Sequence, residues 1–248
     1  MILSDNARDA LLMMASMAGF VGNDTLMKLA FAESPLFQAI LLRGLFATAL
    51  IGALAAARGV LRPGIAPADR PLLALRTLAE MGATICFLTA LLHMPIANAI
   101  AILQSQSQPL TVTLGAALVF REPVGWRRWS AIAVGFAGML LIVRPGMAGF
   151  DAHALWALAA VGFVTVRDLS TRRFTASSPS RFVALATSVA ILLSGPAGAL
   201  FQEWRPVSAG ALAALAGAAG FLFVGYLSAV MTMRVGEIGF VAPSATPS

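Results

Sequence analysis

Charge is the scarcest commodity in this sequence. Only 11% of its 248 residues are Asp, Glu, Lys or Arg, where soluble domains carry roughly 25%. With 59% of residues hydrophobic and long apolar runs recurring from end to end, no water-soluble fold of this size could bury so much apolar surface. Lysine is nearly absent as well. Apart from Lys28 every basic residue is an arginine, and most arginines sit in short stretches between apolar runs. That placement suits the loops of a membrane protein and excludes a basic groove, so no nucleic-acid partner is expected despite the net charge of +6. The single cysteine, Cys86, can form no intramolecular disulfide and lies in an apolar run as a packing residue. No basic segment leads the first apolar run, which follows Asp5, Arg8 and Asp9 and is too long for the core of a signal peptide. HExxH, thiol–imidazole pairing, phosphate-cradling loops and clusters of metal ligands are all missing. The expectation is a non-enzyme with no cofactor and no metal.

What the sequence does have is apolar length. Runs at about 10–31, 35–57, 71–93, 95–119, 125–143, 153–171, 181–201 and 209–233 are each near the ~20 residues a bilayer-crossing helix needs. Breakers separate them: Ser34-Pro35, Arg62-Pro63-Gly64, Met94-Pro95, Glu122-Pro123, Arg144-Pro145-Gly146, Ser178-Pro179 and Arg205-Pro206. The fold class is therefore all-α, a polytopic helical membrane protein with about eight full spans. Alternate connectors divide the arginines unevenly. One set holds Arg8, Arg58, Arg62, Arg70, Arg121, Arg127, Arg128, Arg172, Arg173, Arg181 and Arg234, and the other only Arg144 and Arg205. The arginine-rich side should be cytoplasmic, which puts the N-terminus inside, most simply in a bacterial inner membrane. Trp126 and Trp129 fall at one interface, Trp156 and Trp204 near the other.

The stretch Gly19-Phe-Val-Gly-Asn-Asp-Thr-Leu returns as Gly162-Phe-Val-Thr-Val-Arg-Asp-Leu, each time with charge inside an apolar run. A second match pairs Phe87-Leu-Thr-Ala-Leu-Leu-His-Met with Tyr226-Leu-Ser-Ala-Val-Met-Thr-Met. With the first span running outward and the sixth inward, the matches describe two halves of opposite topology, an inverted repeat.

Charge within a membrane span costs roughly 2.5–3.5 kcal/mol per residue and must face protein or water. Four groups qualify as substrate-binding or coupling candidates. Asn23 and Asp24 lie in the first span, and Asp24 comes to matching depth with Arg43 of the second, roughly 10 and 12 Å from the same face at about 1.5 Å per residue. An ion pair there could bind a charged substrate group or simply fix two helices. Arg76 and Glu80 stand i, i+4 on one face, so Glu80 is either a titrating, substrate-facing group or half of a local salt bridge. Gln104, Gln106 and Gln108, with Ser105 and Ser107, precede Pro109 near mid-span. They could line a cavity where the helix bends, or hydrogen-bond between helices. Arg167 and Asp168 are the second-half counterparts of the Asp24 region, with Asp168 also i, i+4 from Arg172. His93 and His153 sit at span ends as interfacial residues.

Two blocks carry a resemblance. Phe120-Arg-Glu-Pro-Val-Gly-Trp-Arg-Arg-Trp followed by Gly135-Phe-Ala-Gly-Met-Leu-Leu-Ile-Val-Arg-Pro-Gly resembles the end of the first repeat in the drug/metabolite transporter superfamily, EamA-type branch. Phe87-Leu-Thr-Ala-Leu through Pro95-Ile-Ala-Asn-Ala-Ile-Ala-Ile-Leu is similar to that family's passage from third to fourth helix. The resemblance implies ten helices in two inverted five-helix repeats around a central cavity, here residues 1–148 and 149–248. It also implies a secondary transporter that moves a small organic metabolite or drug by alternating access. The sequence stops at Val241-Ala-Pro-Ser-Ala-Thr-Pro-Ser, where a ninth helix of that pattern should begin. On that pattern the second repeat lacks its last two helices, and the alternative expectation is a truncated, transport-inactive remnant. Expected partners are a small-molecule substrate, the lipid bilayer and a second copy of the chain, which could cover an open flank.

Overall fold

A computed structural model describes residues 5–57, 66–105, 125–143, 152–174, 180–198 and 200–241. Among them the apolar runs form eight α-helices: α1 (Asp5–Ala30), α2 (Leu36–Ala57), α3 (Arg70–His93), α4 (Ile96–Ser105), α5 (Trp126–Val143), α6 (Ala154–Arg172), α7 (Ser180–Gly198) and α8 (Ala209–Val241). A helix satisfies every backbone group within itself, which is what an apolar solvent demands. Five segments, Ala10–Ala30, Leu36–Leu54, Pro67–His93, Ala154–Thr171 and Ala209–Ala229, are long and apolar enough to cross a membrane. Large apolar side chains such as Met14, Leu78, Leu141 and Leu193 point outward, as lipid-facing surface should.

The breakers act where the sequence places them. After α1 the chain makes one tight turn in which the Ser34 amide donates to the Ala30 carbonyl, and Pro35 opens α2 with its carbonyl accepting from Ala39. Met94 is extended (φ −121°, ψ 162°) because Pro95 follows it, and α3 ends there. The carbonyls freed at that end are collected by Lys28, whose Nζ donates to Leu91, Leu92 and Met94 at 2.5, 3.1 and 3.0 Å. The one lysine of the chain thus ties the end of α1 to the end of α3, and these two helices run parallel.

Three antiparallel pairs make the most extensive contacts: α1 with α8, α3 with α6, and α2 with α7. Ser16 Oγ donates to the Gly225 carbonyl at 3.0 Å while Leu26 lies over Gly217, so α8 descends as α1 rises. Glu80 and Arg76 of α3 face Arg167 and Thr171 of α6 in the same crossed order. Thr48 meets Ser188, and Leu41 packs on Gly195. Exchanging α1 with α6, α2 with α7 and α3 with α8 turns the first pair into the second and leaves the third unchanged. Each helix so exchanged points the opposite way, which is the inverted topology expected from the sequence matches.

Small residues set the close approaches, as they do wherever lipid offers no hydrophobic force to drive helices together. A Cβ on Gly19 would stand 2.7 Å from the backbone of Gly225, and one on Gly195 2.6 Å from Leu41. The most deeply buried apolar side chains, Met27, Ile40, Leu88, Leu91, Ile102 and Leu215, gather toward one end of the bundle, where α1 and α3 finish and α2 and α8 begin. Beyond that plug, toward the middle of the helices, the interior becomes polar.

Candidate functional site

Five helices from both halves send polar groups into one interior region. It has two levels. At the level nearer the apolar plug, Asn23 of α1 is buried (4% exposed) and Arg43 of α2 nearly as deeply (6%). Arg43 Nη1 donates to Asn23 Oδ1 at 3.3 Å, and Asn23 Nδ2 donates to Asp24 Oδ1 at 2.9 Å. The direct Asp24–Arg43 ion pair expected from matching depth does not form. Depth was right and azimuth was not: Asn23, one residue and about 100° round the helix from Asp24, holds the face toward α2. Its amide relays the charge of one residue to the other.

At the deeper level the second arginine is held by two carboxylates. Arg167 Nη1 lies 3.2 Å from Glu80 Oε2, and its Nε donates to Asp168 Oδ1 at 2.8 Å. Glu80, 6% exposed, also accepts from the Tyr226 hydroxyl of α8 at 3.4 Å. The Tyr226 ring stands edge-on to Phe20 of α1, with centroids 5.6 Å apart and planes at 85°. Tyr226 therefore joins α8 and α3 below the level of Asn23.

One further pairing expected along a single helix is replaced by pairings between helices. Arg76 does not bond Glu80. Its Nε donates to Thr171 at 3.0 Å and its Nη1 to Thr187 at 2.8 Å, which ties α3 to α6 and α7. An i, i+4 pair contributes only about 0.2–0.5 kcal/mol, so hydrogen bonds to two neighbouring helices easily displace it. Asp168 bonds its neighbour Arg167, and the side chain of Arg172, its expected i, i+4 partner, lies outside the described residues. The side chain of Gln104 and all of Gln106, Gln108 and Pro109 also lie outside them. His93 and His153, expected at span ends, do lie there, and their rings stack at 4.3 Å and 2° between the end of α3 and the start of α6.

Tyr226 and Lys28 were missed in the sequence. The signal for Tyr226 was present, since it aligns with Phe87 in the internal repeat and so adds a hydroxyl where the other half has none. Lys28 gave none, because capping of a distant helix end leaves no local pattern. Cys86 is buried in the apolar core, as its surroundings in the sequence implied. Among the described residues no group of His, Cys, Asp and Glu could hold a metal ion. What the arrangement can do chemically is present charge to a guest: one arginine neutralised by two carboxylates, the other leaning on an amide.

Against known proteins, the family model described as the EamA-like transporter family matches residues 8–144. The chain is similar to the pseudopaline exporter of Pseudomonas aeruginosa, 31% identical over 68% of this chain and 60% of the exporter. It is also similar to a riboflavin transporter of Vibrio cholerae, 34% identical over 41% of this chain and 35% of that transporter. The chain thus spans between about a third and three fifths of these relatives' lengths. A crystal structure described only as that of a protein, 20% identical, superposes with a TM-score of 0.53 over 95% of this chain and 91% of its own. That likeness concerns the fold alone.

Proposed function

The chain belongs to the EamA-like transporter family, and from that premise we propose that it is a secondary transporter carrying a small organic molecule across the bacterial inner membrane by alternating access. The observation that carries the reading is the buried charged region itself. Asp24, Arg43, Glu80, Arg167 and Asp168 stand inside apolar helices, where each ion is costly and where ionisable groups mark substrate and ion pathways. They come from both halves of an inverted pair, the place where such folds bind substrate. Asn23 completes the upper level and Tyr226 the lower. Gln104, in the last described turn of α4, and Gln106 and Gln108, beyond it, remain candidates for the same region.

The apolar plug supports the alternating part of the proposal. Burial concentrated at one end and polarity beyond it suit a carrier closed on one side. With the N-terminus cytoplasmic, as the arginine bias argues, the closed side is the outer one. The two units that would rock are residues 1–148 and 149–248. Riboflavin and pseudopaline, named for the relatives, are the first molecules to test. Vesicles containing the full chain should accumulate one of them above empty vesicles. Glu80→Gln, inserted to the same level, should reduce that accumulation at least tenfold. Equal accumulation by the variant and the parent chain, or no excess over empty vesicles for either compound, would overturn the proposal.

A further inference from the structure

Arg43 is a deeply buried arginine with no carboxylate at ion-pair distance among the described residues. Among the described residues its one hydrogen bond is the long 3.3 Å contact from Nη1 to the Asn23 carbonyl oxygen. Its Nε is fully buried and has no partner. A guanidinium has five N–H donors in a planar fork, and a protein seldom buries such a group without using them. Asp24, Glu80 and the Tyr226 hydroxyl all lie within electrostatic range of it, yet each is engaged elsewhere. Asp24 receives the Asn23 amide, and Glu80 is held by Arg167 and Tyr226. The side left over is a particular one. Asn23 uses one of the two Nη1 hydrogens, so the edge on which both nitrogens lack a partner among the described residues is Nε–Nη2. That edge presents two parallel N–H groups at the spacing of the two oxygens of a carboxylate.

We propose that Arg43 is a carboxylate receptor, its Nε–Nη2 edge taking the acid group of an anionic substrate in a bidentate grip while Asn23 fixes the plane of the guanidinium. The inference rests on the transporter reading for the word substrate, but the binding itself does not depend on transport. An acid bound here would sit on the first-half side of the interior, just beneath the apolar plug. The rings of Phe20 and Tyr226 provide apolar surface on the neighbouring helices α1 and α8. Neutral amides of the same shape could not use the edge, since an amide offers one acceptor where the fork needs two. A primary amine would bring a cation to a cation.

The test uses the full chain in lipid nanodiscs, with benzoate, benzamide and benzylamine as isosteric probes at equal ionic strength, read by the shift in melting temperature. Benzoate should bind about tenfold or more tightly than benzamide, the usual return on a charge-assisted pair of hydrogen bonds. Benzylamine should give no shift. Arg43→Gln should abolish the preference for the acid. Arg43→Lys, which keeps the charge and loses the fork, should retain only a small part of it. Arg127→Gln, at an exposed arginine of the first turn of α5, should leave it intact and serves as the control for folding. Indifference between acid and amide in the parent chain, or a preference that survives Arg43→Gln, would overturn the proposal. Vesicle flux separates the two readings. Acid binding without any flux sinks the transporter and keeps the receptor, whereas flux of a neutral compound that benzoate does not inhibit, with no acid preference in nanodiscs, does the reverse.

Discussion

The two interior arginines make opposite bargains with their surroundings. Arg167, on α6, has a carboxylate on each side, Glu80 at 3.2 Å and Asp168 at 2.8 Å. Arg43, on α2, is more deeply buried than most charged groups ever are and, among the described residues, hydrogen-bonds only to an amide oxygen. The first arrangement ties α3 to α6. The second, on the reading proposed above, keeps a charge available. The repeat explains how one fold can hold both: Asp24 aligns with Arg167, so the same position carries an anion in one half and a cation in the other. Inverted halves need not be chemically alike, and on the proposal above the arginine of the second half is paired while that of the first is left for a guest.

The sharpest way to break this comparison is to remove each arginine in turn. Arg167→Ala leaves Glu80 and Asp168 without their cation in a lipid-excluded interior, and should cost about 3–5 kcal/mol, the range for a buried pair that loses one partner. Arg43→Ala gives up one long hydrogen bond and no ion pair, and should cost about 1–2 kcal/mol. Chemical denaturation of the detergent-solubilised chain measures both. Equal costs would mean that Arg43 is as firmly paired as Arg167 and that the contrast is false.

A second comparison sets backbone contact against open space, with intermediate effects. Gly19→Ala would put a methyl 2.7 Å from the Cα and nitrogen of Gly225, atoms that cannot step aside without moving α8. About 1–3 kcal/mol of destabilisation is expected, as for overpacking elsewhere. Gly82→Ala meets the Phe163 ring at 2.8 Å, and a ring can turn, so its cost should be smaller. Gly52→Ala meets nothing within 4 Å and should stabilise α2 by up to about 1 kcal/mol through helix propensity. The order of the three melting temperatures is the observable. A Gly19→Ala chain that melts with the parent would show that α1 and α8 are not held at glycine distance.

These effects also mark how far the sequence could be read. Spans were legible because bilayer thickness imposes a length on every apolar run, and that constraint is local. The inverted pairing was legible because Gly19-Phe-Val and Gly162-Phe-Val survive in both halves. Partners were not. Asp24 with Arg43, and Arg76 with Glu80, were matched by depth or by spacing along one helix, and each was displaced by a group from another direction: Asn23 from the next position, Arg167 from α6. Depth follows from counting residues, but azimuth follows from how helices rotate against each other, which is set by contacts such as Gly19 on Gly225 far away in sequence. The charged residues themselves were identifiable, since their cost in a membrane makes each one conspicuous.

The smallest expected effect tests the joint between the two levels. Tyr226→Phe removes a single hydroxyl whose bond to Glu80 is long, 3.4 Å, and keeps the edge-on contact with Phe20. Glu80 retains Arg167, so it is not stranded, and the loss of stability should be about 0.5–1 kcal/mol. If Tyr226 only packs, transport should fall no further than this change in stability explains. If its hydroxyl instead steadies Glu80 against α3 and α6 while a guest binds Arg43 above, flux in vesicles should drop severalfold at unchanged insertion. The acid-over-amide preference of Arg43 should persist, because Tyr226 makes no hydrogen bond to that arginine among the described residues. A Tyr226→Phe chain that loses the acid preference together with flux would show that the two levels are a single site, and that the division between a braced half and an open half is drawn in the wrong place.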